Sequence, residues 1–188
     1  MVAKLGLHTV DEFEQFINKP ENADRRFELI YGEIVEKVPT EEHGAIVVNI
    51  CTGLKIHAKA QNPEDRVTVE SRHSVSGDNI NDRLPDIAYT TAARAMPITR
   101  KGAVPQMPDL AVEVKSPNDS YTQIRSKALF YLANGTRLVW LVFPERRVVE
   151  VYHENGDLEV LTERDDDVLD GGDVLPGFRM PLRDVFAV

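Results

Sequence analysis

The chain has 188 residues, of which 42% are hydrophobic and 28% charged, an ordinary composition for a water-soluble globular protein. This length is enough for one substantial core and short for two, so we expect a single domain over residues 1–188. The formal net charge of −9 argues against binding of nucleic acid by bulk electrostatics, although carboxylates gathered around a divalent metal would also make the apoprotein acidic.

The sequence does not indicate membrane insertion or export. No segment approaches the roughly 18 consecutive apolar residues of a membrane helix, and the first residues lack the apolar stretch of a signal peptide. Cys51 is the single cysteine, which excludes an internal disulfide and a zinc site built from cysteines. We therefore expect a cytoplasmic protein without a membrane partner.

The N-terminal half of the chain predicts helices separated by β-rich segments. Thr9 and Glu12 form a capping-box pattern, which starts a helix that ends before Pro20. A β-hairpin that turns at Gly32 follows, and then a long helix over residues 41–61. The predicted strands of this half are residues 26–31, 33–38, 66–70 and 83–90.

The C-terminal half predicts strands around one further helix. Helical spacing begins after the cap residue Ser120 and stops at Gly135. The nearly continuous apolar run of residues 137–143 is typical of a central strand that is buried on both faces. Strands are also predicted within residues 108–117 and over 147–153 and 158–161, before a short tail. This order predicts an α/β (α+β) fold with a central mixed β-sheet flanked by helices, after an N-terminal helix and hairpin.

The segment 108–117 contains the pattern from which the functional interpretation starts. Apolar and polar residues alternate along it, which is typical of a strand. Glu113 and Lys115 fall on the polar face, roughly 6–7 Å apart along the backbone. At that distance the carboxylate can hold a cation while the amine meets a phosphate or a water. The alternative is a solvated face with a weak ion pair.

A metal held by Glu113 needs a second carboxylate close to it. Asp109 lies four residues earlier on the same strand, roughly 13 Å away, which is too far for a magnesium ion with oxygen ligands at about 2.1 Å. Asp86 belongs to a different predicted strand, and neighbouring strands lie only about 5 Å apart. Asp86 and Glu113 are therefore the predicted metal ligands.

Polar residues on the following helix are candidates for a supporting role. Gln123 and Lys127 are four residues apart and share one helix face. Gln123 is placed to reach back towards the strand and fix Lys115 or a phosphate; the alternative is a solvated polar stripe. His43 and His57 have no carboxylate at ligand spacing, so we interpret them as structural or exposed.

Together these residues resemble a known nuclease pattern. Pro85-Asp86, Glu113-Val114-Lys115 and Gln123-x-x-x-Lys127 are similar to the PD-(D/E)xK nuclease superfamily. More closely, the chain resembles the Uma-type putative restriction endonuclease family over about residues 9–182. The matching landmarks, in order along the chain, are residues 26–33, 85–88, 108–117 and 139–142.

This resemblance implies a restriction-endonuclease-like core that cleaves phosphodiester bonds in DNA, depends on Mg²⁺ with Mn²⁺ as an alternative ion, and often forms a homodimer. In such a site Asp86 and Glu113 would hold the metal, which polarises the phosphate and activates a water. Lys115 would orient that water or offset charge that develops on the phosphate. Glu28 matches a glutamate of the family and is placed to reach the metal through water; the alternative is an ordinary edge-strand carboxylate.

Two other functions are compatible with the same residues. The first is a catalytically idle nuclease-fold module that binds a partner or dimerises, which the acidic net charge and the lack of a basic run favour. The second is a metal-assisted hydrolase of a smaller phosphoester, which a cleft too narrow for a DNA duplex would favour.

Overall fold

The computed structural model describes residues 7–188 of the chain. Its helices begin at the residues that the sequence predicts. Thr9 accepts a hydrogen bond from the Glu12 N–H, and Ser120 accepts one from the Gln123 N–H, each within a complete capping box. The α-helices of the described part are α1 (Val10–Ile17), α2 (Glu41–Gln61), α3 (Tyr121–Ala133) and α4 (Leu182–Val185).

The described residues also form strands in three sheets. The strands are β1 (Arg26–Ile30), β2 (Glu33–Lys37), β3 (Arg66–Val69), β4 (His73–Ser74), β5 (Asp82–Arg83), β6 (Ile87–Thr90), β7 (Leu110–Val114), β8 (Leu138–Phe143), β9 (Val148–His153), β10 (Leu158–Thr162), β11 (Val168–Asp170) and β12 (Arg179–Pro181). Six strands make the largest sheet, in the order β10-β9-β8-β7-β6-β3, and four make a second sheet, in the order β2-β1-β5-β4. The third sheet consists of β11 and β12.

The six-stranded sheet is mixed, which confirms the predicted fold class. Its strands pair antiparallel, apart from the parallel pair β7 and β8 that α3 connects. A parallel pair needs a crossover of this kind, because the chain must return to the same edge before it can run in the same direction.

Alternation along β7 decides which side chains meet each face of this sheet. Leu110, Val112 and Val114 pack in the core beside α2, whereas Ala111 packs in the core beside α3. Glu113 therefore lies on the α3 face. Burial of each such leucine or valine stabilises the fold by about 1.5–3 kcal/mol. A register slip of one residue would lose this burial and move Glu113 to the apolar α2 face.

The strand predicted over residues 83–90 is divided between the two sheets. Its first residues belong to β5 in the four-stranded sheet and its last to β6 in the six-stranded sheet. Pro85 lies at the break, since a proline has no N–H to donate to a strand ladder. The chain therefore links the two sheets directly before Asp86.

The C-terminal segment is more structured than the predicted tail. It forms β11, β12 and α4, and its apolar residues complete the core beside α2. Phe178 stacks on Trp140 with ring centroids 5.7 Å apart. Strands of three residues give little periodicity, so pattern alone does not detect them.

Candidate active site

Asp86 and Glu113 lie side by side at the end of two adjacent strands. β6 and β7 pair with Ile87 opposite Val112, and continuation of this register places Asp86 opposite Glu113. The Lys37 ammonium lies 2.6 Å from Asp86 Oδ1 and 3.5 Å from Glu113 Oε2. The structure thus brings the two predicted ligands together, around a cation that the chain itself provides.

Asp86 is fixed from several directions. Its Oδ2 accepts a hydrogen bond from the Val114 N–H at 2.7 Å, and His43 Nε2 lies 3.1 Å from the same oxygen. Because an ionised carboxylate only accepts hydrogen bonds, His43 donates from Nε2. Burial raises the pKa of Asp86, but Lys37 and His43 outweigh it and hold that pKa below its ordinary value. Asp86 is therefore ionised at neutral pH.

Glu113 connects the strand to α3. Its Oε1 accepts a hydrogen bond from the Tyr131 hydroxyl at 2.7 Å, and its Oε2 lies 3.2 Å from the Lys127 ammonium. Burial raises the pKa of Glu113 above its ordinary value, although Lys127 and Lys37 act in the opposite direction.

Glu28, on β1, extends the group from the other side. Its Oε1 accepts a hydrogen bond from the Lys127 ammonium at 2.5 Å. Burial raises the pKa of Glu28, but the opposing effect of Lys127 and Lys37 is larger, so the pKa lies below its ordinary value. Its Oε2 is buried and has no hydrogen-bond partner among residues 7–188. A buried carboxylate oxygen without a donor is costly, so it is available to a further donor or cation.

These contacts form one buried chain of alternating charge. Asp86, Lys37, Glu113, Lys127 and Glu28 follow each other in space, each within ion-pair distance of the next. We refer to these five residues as the charged chain. Three carboxylates and two ammonium groups give it a formal charge of −1.

Lys115 does not join the charged chain. Its ammonium donates to the Ser116 carbonyl at 3.2 Å, lies 3.3 Å from Glu145 Oε1, and is 5.2 Å from the centre of the Tyr121 ring. Lys115 directly follows the last residue of β7. Strict alternation ends there, which is why spacing along the strand does not fix the direction of this side chain.

Gln123 is likewise occupied elsewhere. Its side-chain oxygen accepts a hydrogen bond from the Ser120 N–H at 3.1 Å, as part of the cap of α3, and the residue is exposed. Lys127, one turn further along the helix, is the residue that reaches both Glu113 and Glu28. Of the two polar residues on this helix face, Lys127 therefore contacts Glu113, whereas Gln123 caps the start of the helix.

Sequence reasoning misses Lys37 and does not connect His43 with Asp86. Lys37 follows Glu36 in an exposed strand pattern and lies 76 residues before Glu113, so no local signal connects them. His43 had a usable signal. It continues the buried face of α2 that includes Ile46 and Ile50, which a helical-spacing test would have detected.

Asp109 is not part of the charged chain, as its distance from Glu113 along the strand predicts. It accepts hydrogen bonds from the Thr91 N–H at 2.8 Å and the Thr91 hydroxyl at 2.9 Å, and from Arg94 Nη1 at 2.7 Å. These contacts tie the loop after β6 to the start of β7. Asp109 therefore shapes the entry of the strand that carries Glu113.

Comparisons with known proteins place this arrangement in a family. The family model "Uma2: Putative restriction endonuclease" matches residues 10–183. The chain belongs to the Uma2 family. A solved structure, "a putative nuclease belonging to DUF820 from Anabaena variabilis", is similar with a TM-score of 0.79 and 27% identity, over 95% of this chain and 97% of that chain. No curated protein matches the sequence.

The Uma2 match and the shared fold support a nuclease, a hydrolase that acts on nucleic acid. They also confirm the family resemblance that the motifs predict. Restriction-endonuclease-like families generally use divalent metals. Between residues 7 and 188, no helix is both long and apolar enough to cross a membrane.

The residues of this Uma2-family site fit a sparsely coordinated metal. Within residues 7–188, no group of three or more His, Cys, Asp or Glu side chains could hold a metal ion. Magnesium is, however, commonly bound by one or two carboxylates together with water and substrate phosphate. Asp86 and Glu113 meet that requirement, because their oxygens converge on a position that already attracts the Lys37 cation.

Access to the site of this Uma2-family member is narrow. Asp86 is 1% exposed and Glu113 is 2% exposed. A mostly apolar cavity of about 360 Å³ between α2 and β3 reaches Asp86 and His43. A more polar cavity of about 250 Å³ is lined by His43, Lys115 and Glu145, among others. His43 borders both cavities.

Proposed function

We propose that the protein is a divalent-metal-dependent endonuclease that hydrolyses phosphodiester bonds in DNA, with Mg²⁺ as its ion and Mn²⁺ as a substitute. The observation that carries this proposal is the convergence of the Asp86 and Glu113 carboxylates on one cation position. Membership of a family of nucleases supports the reaction class. The proposal includes a homodimer, since cleavage of both strands of a duplex requires two sites.

Asp86 and Glu113 would hold the metal. When bound, a divalent metal polarises the scissile phosphate and lowers the pKa of a water. Val114 and His43 keep Asp86 oriented, and Tyr131 keeps Glu113 oriented, so neither carboxylate has to be ordered when substrate arrives. This pre-ordering favours catalysis over adventitious ion binding.

The other predicted site residues have supporting parts in this proposal. The free Oε2 of Glu28 would accept a hydrogen bond from a water of the site. Lys115 lines the polar cavity beside His43, where its ammonium would meet a phosphate and offset its charge. Gln123 would have no contact with substrate or metal. Its side chain caps the start of α3, the helix that carries Lys127, and so helps to position that lysine.

Plasmid cleavage tests the proposal directly. Wild-type protein with Mg²⁺ or Mn²⁺ should nick or linearise supercoiled DNA, and Asp86→Asn and Glu113→Gln should each lower the rate by about 100-fold or more. Glu64→Gln, an exposed carboxylate far from the site in sequence, is the matched control and should cut as wild type does.

Two results would contradict the endonuclease. Equal cutting by wild type, Asp86→Asn and Glu113→Gln would show that these carboxylates do not serve the reaction. Absence of cutting on single-stranded and duplex DNA with either metal would exclude the activity. Cleavage of bis(p-nitrophenyl) phosphate without any DNA cleavage would instead favour a hydrolase of small phosphoesters, which the narrow access to the site would explain.

The charged chain also favours a second candidate, a catalytically idle nuclease-fold module. Lys37 and Lys127 neutralise much of the carboxylate charge without a metal, as in a purely structural ion-pair network. A folded protein that binds no Mn²⁺ in calorimetry and cleaves no phosphodiester would establish this function in place of the first.

A further inference from the structure

Lys37 occupies the cation position between Asp86 and Glu113. Its ammonium has an acceptor for each of its three N–H groups: Asp86 Oδ1 at 2.6 Å, the Leu84 carbonyl at 2.8 Å and Glu113 Oε2 at 3.5 Å. The side chain is 15% exposed. A lysine that is this fully satisfied at a carboxylate pair is a built cation site and not a chance contact.

A metal that bridges Asp86 Oδ1 and Glu113 Oε2 would need the position that the Lys37 ammonium fills, because magnesium requires its oxygen ligands at about 2.1 Å. Each carboxylate oxygen has more than one lone pair, so the conflict is one of space and charge. Two cations at that separation in a buried site repel each other strongly, since few water molecules screen them. Binding of a metal in this position therefore requires the Lys37 ammonium to move away.

We propose that Lys37 sets the affinity of the Asp86–Glu113 pair for divalent metals. This proposal rests on the proposed function, in which these two carboxylates are the metal ligands. The lysine acts as the resident cation of the metal-free protein and competes with the incoming metal. It holds the carboxylates in place, and it weakens binding of any metal that arrives without a substrate phosphate to compensate.

The position of Lys37 permits this exchange. It is the last residue of β2, which is an edge strand of the four-stranded sheet, and its exposed neighbours Val38 to Thr40 lead into α2. Its long aliphatic stem can swing without a backbone change. Once displaced, the ammonium remains close enough to meet a phosphate that binds to the metal.

Lys127 contacts a different pair of carboxylates from Lys37. It bridges Glu28 and Glu113, is 11% exposed, and makes no ion pair with Asp86. It contacts the same Oε2 of Glu113, at 3.2 Å, and so opposes a metal at only one of the two carboxylates. Lys37 contacts both carboxylates and is therefore the main competitor.

Calorimetric titration of Mn²⁺ and Mg²⁺ into the metal-free protein tests the proposal without any activity measurement. Lys37→Met should bind metal about tenfold more tightly than wild type or better, because the competing charge is gone. Lys59→Met removes the same charge from the exposed surface of α2 and should bind as wild type does. Addition of Asp86→Asn to Lys37→Met should abolish the gain.

The outcomes separate this proposal from the proposed function. If wild type and Lys37→Met bind metal equally and Asp86→Asn abolishes binding, the metal pair stands and the competition is refuted. If neither protein binds metal in the millimolar range while circular dichroism shows both to be folded, the metal pair and the competition both fail.

A folding defect would not obscure the result. Lys37→Gln keeps an N–H donor for the Leu84 carbonyl without the charge, and it should show the same gain in affinity. If Lys37→Met folds only when Mn²⁺ is present, the metal has replaced the ammonium, as the proposal requires. If both variants stay unfolded with and without Mn²⁺, Lys37 has a purely structural function and the proposal is overturned.

Discussion

At the scale of single residues, the interior of the protein holds an unusual number of charges. Glu28, Asp86 and Glu113 are each at most 2% exposed, and each is paired with a lysine that is itself largely buried. A buried pair of this kind contributes little net stability compared with an apolar pair of the same size. Stability alone therefore does not account for these buried pairs.

Removal of one member of the charged chain should be costly. Lys127→Met leaves Glu28 and Glu113 without this cation, and we expect the free energy of unfolding to fall by about 3 kcal/mol, because buried charge is left uncompensated. Urea denaturation measures this. The exposed Lys55→Met should change stability by less than about 0.5 kcal/mol.

A double variant checks the cause of that loss. Glu28→Gln together with Lys127→Met removes one of the stranded charges, so part of the lost stability should return. The contradicting result is a double variant whose loss in free energy of unfolding equals the sum of the losses of the two single variants. In that case Lys127 stabilises the protein through packing of its aliphatic stem instead.

At the scale of elements, the hairpin of β1 and β2 carries two members of the charged chain. Tyr31 and Gly32 form its two-residue turn, and both have positive φ angles, of 48° and 82°. Positive φ at both positions matches the right-handed twist of the two strands. The turn therefore sets the register in which Glu28 and Lys37 face the core.

Two glycine substitutions should have opposite effects. Gly32→Ala should destabilise the protein by about 1–2 kcal/mol, because φ is positive and an added Cβ would lie 2.9 Å from Leu7 Cβ. Gly44→Ala should stabilise it by about 0.5–1 kcal/mol, because this glycine is in α2 with open space around it. Thermal melting followed by circular dichroism measures both, and changes of the same sign would contradict the turn geometry.

At the scale of the whole molecule, two sheets and two helices meet at the site. The four-stranded sheet contributes Glu28 and Lys37, the six-stranded sheet contributes Glu113 next to Asp86, and α3 contributes Lys127. All three carboxylates already have cations of the chain itself as partners. The fold should therefore be complete without a metal, unlike that of a protein with a structural zinc site.

Removal of metal should thus separate stability from activity. We expect EDTA to change the melting temperature of the purified protein by less than about 2 °C while it abolishes DNA cleavage. Melting curves and plasmid assays on the same sample measure the two effects. A large fall in melting temperature on addition of EDTA would contradict a metal-independent fold.

Much of the fold follows from local pattern. The capping box at Thr9, the turn at Gly32 and the cap at Ser120 lie where the sequence predicts them, because each depends on residues within one turn of the chain. The preference for Asp86 over Asp109 as partner of Glu113 also follows, since spacing along one strand excludes Asp109, while the adjacency of β6 and β7 is given by the structure. The split of the strand at Pro85 and the small C-terminal elements do not follow, because they depend on which sheet each short segment joins.

The charged chain marks the boundary between what local pattern and tertiary structure decide. Periodicity along one strand is sufficient to place Glu113 on a polar face and to exclude Asp109 as its partner. Which ammonium meets Glu113 depends on distant segments, as Lys37 approaches from a hairpin 76 residues earlier and Lys127 from the next helix, while Lys115 turns towards Glu145. A lysine side chain is long and flexible, so packing of the surrounding elements, and not its place in the sequence, determines where its charge lies.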